Sequence, residues 1–180
     1  MASRFSRVIR TVFIKIFQHK SIQTEGFLDI HRDTKLKTSH GGTMKLGKNL
    51  STFTNVFLTS NGGRLVIGNN VFFNRYCIVV CMESIEIGDN CIFGPGICIY
   101  DHDHKFDYDG VKNEYYNKSP IIIGKNCWIG ANAVILRGSH VGEGCVIGAG
   151  TVVSGHIPPH SLVTGSRENI IKPIEGKEIK

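Results

Sequence analysis

A strict period of six residues runs from Ile123 to Val153. Each hexad opens with an aliphatic residue, and its fifth position is small in most hexads. The openers are Ile123, Ile129, Ile135, Val141, Ile147 and Val153. Neither the 3.6-residue period of a helix nor the two-residue alternation of a strand produces this pattern. Short parallel strands joined by tight turns do, because three strands make one coil and stacked coils bury a continuous core. The sequence therefore predicts a mostly β protein, a parallel β-helix.

A recurring four-residue phrase marks the corners of the predicted coils. It begins at Leu46, Ile67, Ile87 and Ile123, and in each case Gly follows at the second place and Asn at the fourth. Gly and Asn tolerate the positive φ of a tight corner. The first three phrases start 21 and 20 residues apart, close to one coil each. The fourth starts 36 residues after the third, which indicates one coil plus an insertion.

The insertion is predicted as a loop over residues 104–120. It breaks the hexads, is charged, and carries Phe106, Tyr108, Tyr115 and Tyr116. Long excursions from a rigid scaffold are common places for function. We expect contacts to a ligand or a neighbouring subunit, with the rings of Tyr115 and Tyr116 as candidates to stack on the ligand. The alternative is a surface loop without function.

The N-terminal segment predicts a basic amphipathic helix over residues 1–24. Apolar residues from Phe5 to Phe17 recur at helical spacing, and the first twenty residues contain no Asp or Glu. The run is too short and too charged to span a bilayer. Two roles remain open, covering the end of the solenoid or lying on an anionic membrane surface through residues 1–20. The β-helix is expected over 25–158 and a return segment and tail over 159–180, because Pro158 and Pro159 cannot extend a ladder.

Composition narrows the partners. The net charge of +6 suits an anionic cofactor, a membrane surface or nucleic acid. No nucleic-acid-binding motif accompanies it, so no nucleic acid partner is expected. Three of the six cysteines occupy the small fifth place of a hexad, and no C-x2-C pair exists. We therefore predict free structural thiols and no bound metal. We also predict a cytoplasmic location, at the inner face of the membrane if the N-terminal helix binds there.

The hexads, the insertion opening on a histidine, Cys127-Trp-Ile-Gly130 and Ile157-Pro-Pro159 together resemble the hexapeptide-repeat acyltransferases. The likeness covers about Leu65 to Ile174 and is strongest to the galactoside, maltose and polysaccharide O-acetyltransferases. It implies a left-handed β-helix, a homotrimer with active sites between subunits, and acetyl transfer from acetyl-CoA to a sugar hydroxyl. Because the basic helix stands where maltose-type enzymes have another segment, the acceptor is expected in capsule or lipopolysaccharide biosynthesis.

The resemblance also implies a catalytic base. The family's histidine opens the insertion after a Pro-containing hexad, and an ungapped count from Pro95 reaches His104. His102 lies two residues earlier and is the alternative. Imidazole titrates near neutrality, which suits a base for a hydroxyl. Asp101 or Asp103 could fix the histidine tautomer, and neither is assigned.

Further site residues follow from the resemblance. Asn74 matches an active-site Asn one coil earlier, although it could be a corner residue only. Ala131 matches the main-chain N–H that holds the oxyanion, and Trp128 matches the wall of the acyl slot, or simply packs. The residues matched to coenzyme A binding are Gly148, Ala149, Gly150, Arg167 and Lys172. The stretch from Gly165 to Asn169 departs from the family pattern that follows the two prolines.

Three other functions are alternatives for a chain with this pattern. N-acyl transfer to an amino sugar would use the same donor and base. A β-helix carbonic anhydrase would need three histidines around zinc, and the spacing of His102, His104, His140, His156 and His160 does not supply them. A non-catalytic scaffold would not need the insertion.

Overall fold

The computed structural model describes residue 12 and residues 20–165. Residues 20–165 contain no helix, and most of them wind into a solenoid with three parallel sheets, which we call A, B and C. Sheet A consists of β1 (Ile22–Thr24), β3 (Thr43–Leu46), β6 (Arg64–Ile67), β9 (Ser84–Ile87), β14 (Ile121–Ile123), β17 (His140–Val141) and β20 (His156–Ile157). Sheet B consists of β4 (Ser51–Thr52), β7 (Phe72–Phe73), β10 (Ile92–Phe93), β15 (Trp128–Ile129), β18 (Val146–Ile147) and β21 (Leu162–Val163). Sheet C consists of β2 (Lys35–Ser39), β5 (Phe57–Asn61), β8 (Ile78–Cys81), β11 (Cys98–Tyr100), β16 (Val134–Ile135) and β19 (Val152–Val153).

The core follows the hexad pattern. All six predicted openers are at most 2% exposed, and the small fifth residues such as Cys127 and Ala133 are equally buried. Each coil pairs in register with the next, for example Ile129 with Phe93 below and Ile147 above. Similar residues therefore stack on one another from coil to coil along the axis of the solenoid. The predicted parallel β-helix is confirmed.

The corners between sheets A and B, named AB corners, carry the four-residue phrase. Asn49, Asn70, Asn90 and Asn126 all have φ between 55° and 59°. The Gly two residues before each Asn is required because the backbone of the next coil lies close to it. A Cβ on Gly88, for example, would lie 2.5 Å from the amide nitrogen of Lys125. The four-residue phrase therefore matches the observed geometry, because Asn tolerates the positive φ and Gly tolerates the close approach.

The insertion is a β-hairpin rather than the predicted loop over 104–120. Strands β12 (His102–Asp107) and β13 (Gly110–Lys118) pair antiparallel, with an irregularity between His104 and Lys105. Gly110, the first residue of β13 after the two-residue turn, has φ 109°. The hairpin leaves the solenoid at the CA corner, between β11 of sheet C and β14 of sheet A.

The limits of the solenoid differ from the sequence boundaries of 25 and 158. β1 begins at Ile22, which is buried and pairs with Met44. At the other end β21 still pairs with β18. Pro158 and Pro159 do not stop the ladder because they occupy a corner between β20 and β21, where a proline removes no ladder hydrogen bond.

Most of the predicted N-terminal helix lies outside the described residues; Val12 is helical. Within the part of the chain that the structure describes, no helix is long and apolar enough to cross a membrane. The six cysteines are free, and all but Cys98 are buried.

Candidate active site

The carboxylate of Asp101 is the fixed point at the base of the hairpin. It directly follows β11 and is fully buried. Its oxygens accept hydrogen bonds from the backbone amides of Met82 (2.8 and 3.0 Å) and Glu83 (2.8 Å) on the coil below. Burying an ionised carboxylate is costly unless it is hydrogen-bonded. The hydrogen bonds from these amides offset that cost at Asp101.

His102 is attached to this carboxylate. Its Nδ1 lies 3.0 Å from Oδ1 of Asp101, and its side chain is only 15% exposed. The rings of Tyr100 and Tyr116 meet it edge-on, with centroids 6.1 and 5.6 Å away. A proton on Nδ1 donated to Asp101 leaves Nε2 unprotonated, which is the tautomer a base requires.

His104 is exposed on the same strand, two residues further out. Its ring lies against Tyr116, with centroids 4.7 Å apart. Tyr116 thus contacts both histidines, whereas Tyr115 is 62% exposed. The hairpin presents two imidazoles and one tyrosine ring together.

A salt bridge ties the hairpin to the coil above. Nε of Arg137 donates a hydrogen bond to Oδ2 of Asp103. The two candidate aspartates therefore differ, because Asp101 contacts a histidine and Asp103 contacts an arginine.

The glycine-rich stretch at Gly148 to Gly150 forms a cavity at a different corner. This BC corner lies between β18 of sheet B and β19 of sheet C. The cavity has a volume of about 350 Å³ and is lined by Gly148, Ala149, Gly150, Thr151, Val152, Thr164 and Gly165. Small side chains leave the main chain accessible here, which suits an extended ligand bound through backbone groups. Arg167 and Lys172, the predicted phosphate contacts, lie outside the described residues.

The remaining predicted residues lie along sheet B and its BC corners. Ala131 is one coil before Ala149, and its carbonyl accepts the amide of Gly150 at 2.8 Å. Among residues 20–165 its own N–H has no hydrogen-bond partner, so it is available to an oxyanion. Trp128 points outward and is 56% exposed. Asn74 is a corner residue whose Oδ1 accepts the amide of Arg75 at 2.8 Å.

The candidate residues of one chain therefore fall into two groups on separate corners, which we call the hairpin half-site and the glycine half-site. The hairpin half-site at the CA corner holds the histidines and tyrosines, and the glycine half-site at the BC corner holds the cavity and Ala131. The structure does not bring Asn74 to His104 within one chain, since they belong to different corners.

Arg137 was missed in the sequence. The register between coils could have revealed it. Val134 pairs with Cys98, and this places residue 137 over the start of the hairpin. The intervening insertion of unknown shape hid that relation.

The fold and its repeat define the class of protein. A family model described as the hexapeptide repeat of succinyl-transferase matches residues 120–154. The N-acyltransferase AntD from Bacillus cereus, solved with dTDP and 3-hydroxybutyryl-CoA, superposes with a TM-score of 0.71 at 19% identity, covering 96% of this chain and 89% of that one. The chain is a left-handed parallel β-helix of hexapeptide repeats.

Two curated relatives named as O-acetyltransferases are more similar to this chain in sequence. Galactoside O-acetyltransferase of Escherichia coli is 33% identical over 119 residues, which are 66% of this chain and 59% of that protein. The putative lipopolysaccharide biosynthesis O-acetyl transferase WbbJ of Escherichia coli is 29% identical over 141 residues, 73% of this chain and 72% of that protein. The resemblance to hexapeptide-repeat acyltransferases is thereby confirmed. The chain spans less than two thirds of the length of the first curated relatives it matches, for example 39% of a probable acetyltransferase from Mycobacterium tuberculosis.

Proposed function

We propose that the protein is an acetyl-CoA-dependent O-acetyltransferase acting on a sugar hydroxyl of a cell-surface polysaccharide or its precursor. The observation that carries this is the pair of half-sites, one with imidazoles and one with a small-residue cavity. The two relatives named as O-acetyltransferases support the same acceptor chemistry.

The chemistry assigns each half-site a task. The acceptor hydroxyl attacks the thioester carbonyl, a histidine takes the hydroxyl proton, and the carbonyl oxygen becomes an oxyanion. The free N–H of Ala131 would hold that oxyanion, with Trp128 as a wall beside the acyl group. Collapse releases the thiolate of coenzyme A, which takes the proton from the imidazolium. The backbone around Gly148, Ala149 and Gly150 would hold the pantetheine arm, and Arg167 and Lys172 the phosphates.

We propose His104 as the base, with Asn74 of a neighbouring subunit opposite. Its exposure supports this, because the base must reach a proton on a bound acceptor. Tyr115 and Tyr116 would contact the sugar. His102 remains the competing base, because its bond to Asp101 leaves Nε2 free.

We propose that the site is completed between the subunits of a homotrimer. Outward residues on sheet B form an in-register apolar stripe. The stripe consists of Phe72, Ile92, Trp128, Val146 and Leu162. A contiguous apolar stripe on an exposed face supports an interaction site there.

We further propose a cytoplasmic location with peripheral membrane contact through residues 1–20. The acid-free amphipathic pattern of that segment supports it. Sedimentation with anionic vesicles, comparing the whole chain with an Arg7→Glu/Arg10→Glu variant, tests it. Equal sedimentation at low salt would remove the proposal.

The decisive assay for the activity follows thiol release from acetyl-CoA with a panel of free, oligomeric and nucleotide-linked sugars. His104→Ala should lower the rate by about 10²–10⁴-fold, while the thermal unfolding curve stays unchanged because the side chain is exposed. His102→Ala is the matched control. Full activity of the His104 variant together with loss in the His102 variant would reassign the base.

The same panel separates the alternative acceptor. Thiol release with amino sugars alone, and an amide product by mass spectrometry, would identify an N-acyltransferase. No thiol release with any sugar would remove the proposed function.

A further inference from the structure

Charge is unevenly distributed along the solenoid. Residues 20–75, which form the first two coils and most of the third, carry eight Lys or Arg and three Asp or Glu, a net charge of +5. Residues 76–118, which include the hairpin, carry three Lys and eight Asp or Glu, a net charge of −5. The modest overall charge of +6 conceals this separation.

The basic side chains surround two grooves on the first coils. One of about 700 Å³ on sheet C is lined by Arg32, Thr34, Lys35, Leu36, Lys37, Phe57 and Thr59. A second of about 240 Å³ on sheet A is lined by Lys20, Ser21, Gln23, Thr43, Met44, Lys45 and Arg64. Both grooves lie toward the same end of the solenoid, since β1 and β2 are the edge strands of their sheets.

Only part of this charge is neutralised locally. Lys45 pairs with Glu25 at 2.7 Å, and Arg64 pairs with Glu86. Arg32 lies 3.6 Å from Asp33. Lys35 is exposed and stands over the ring of Phe57, 5.3 Å from its centroid. Lys37 is exposed as well.

Aromatic side chains are exposed in the same coils. Phe27 is 41% exposed on the first coil, where its carbonyl accepts the amide of Asn49, next to Lys48. Phe53 is 47% exposed on the second coil, with the guanidinium of Arg75 over its ring. Exposed aromatic rings beside cationic side chains are typical of surfaces that lie at a membrane interface.

We propose that the first coils form a docking surface for an anionic phospholipid bilayer. This extends the membrane contact proposed for residues 1–20 onto the folded solenoid and rests on that part of the proposed function. The occupant follows from charge complementarity and from continuity, because residues 1–19 add four Lys or Arg, no acid and an apolar stripe, and join this surface at Lys20. Each Lys or Arg near such a membrane strengthens binding about fivefold. Residues 76–118, which carry the net charge of −5 and include the hairpin, would be repelled by the anionic bilayer, so that the histidines stay accessible.

The test is co-sedimentation of the full chain with phosphatidylcholine vesicles with and without phosphatidylglycerol, at low and high salt. Lys35→Glu/Lys37→Glu should weaken binding to the anionic vesicles at least about tenfold, and high salt should do the same. Lys105→Glu/Lys125→Glu, with the same change in charge away from the first coils, should bind as the unaltered chain does. Thiol release with a soluble sugar should be unchanged in the Lys35/Lys37 variant.

Several results would overturn the inference. Vesicle binding unaffected by the Lys35/Lys37 change but lost in Arg7→Glu/Arg10→Glu would confine the contact to residues 1–20. Equal loss in the control variant, equal binding without phosphatidylglycerol, or binding to duplex DNA in place of vesicles would reject a lipid-specific surface. Because the binding assay contains no acetyl-CoA, absence of acetyl transfer would not alter its outcome.

Discussion

At the scale of single residues, two aspartates two positions apart have opposite environments. Asp101 is buried and bonded to two amides and a histidine, whereas Asp103 forms a salt bridge in which both side chains are 39–45% exposed. Neighbouring identical residues therefore make very different contributions to stability.

Replacing these aspartates should show the difference. Asp101→Ala removes the buried acceptor of the Met82 and Glu83 amides and the partner of His102, and should lower the free energy of unfolding by about 3 kcal/mol. Asp103→Ala loses only a partly exposed ion pair, which contributes less than about 1 kcal/mol. Urea unfolding followed by circular dichroism measures both. Similar losses would contradict the role given to the Asp101 carboxylate.

Cys81 couples stability to alkaline pH. Burial, followed by the negative charge of Asp101, raises the pKa of this thiol from 9.0 to about 12. The folded state keeps the proton where the unfolded state releases it, so this contribution is complete below pH 9 and is lost as the pH rises towards 12. In Cys81→Ser the alkaline loss of stability should be smaller. Parallel melting-temperature profiles for the two proteins would disprove the coupling.

At the scale of elements, the AB corners form an asparagine ladder. Nδ2 of Asn49 donates to Asn70, Asn70 to Asn90, and Asn90 to Asn126, at 3.0, 3.0 and 3.1 Å. The last step bridges 36 residues of sequence and carries the ladder past the hairpin. The corners are therefore held in register from coil to coil by side chains as well as by strands.

Two substitutions at Asn90 separate the ladder from the backbone conformation. Asn90→Gly removes the hydrogen bonds but keeps φ 58° unstrained. Asn90→Ala removes them and adds left-handed strain, about 1 kcal/mol more. We expect total losses of about 1 and about 2 kcal/mol in urea unfolding. An alanine variant as stable as the glycine variant would show that φ is not constraining.

At the scale of the whole molecule, the faces of sheets A and B differ in chemistry. Sheet A displays ion pairs such as Arg64 with Glu86. Sheet B displays its apolar stripe, with Ile92 and Leu162 at 51% and 71% exposure. A solenoid with unlike faces is suited to associate through the apolar one.

Matched isoleucines on two faces test the proposed trimer. Ile92→Lys on sheet B should convert the assembly to monomers, because an unpaired charge would be buried between subunits. Ile122→Lys on sheet A, 41% exposed, should leave the assembly unchanged. Light scattering after size exclusion gives the masses. A monomeric unaltered chain, or dissociation by both variants, would contradict the proposed interface.

Much of the fold was predictable because hexad openers such as Ile129 report the period directly. The site was less so. The resemblance pointed to His104, and the local spacing of His102 and Asp101 was visible, but their contact with Met82 and Glu83 required the coil below. The sequence of the insertion did not predict a hairpin, because most of its residues are exposed and no alternation of buried and exposed residues marks one face.

The sequence by itself determined the repeat, the buried residues of its coils and their corner residues, because each coil repeats one local rule and packs on its neighbour. Tertiary structure alone decided which aspartate holds His102, that Arg137 reaches Asp103, and that the histidines and the glycine cavity lie on separate corners. These relations depend on how an irregular insertion leaves a regular stack, and no local propensity encodes contacts across coils.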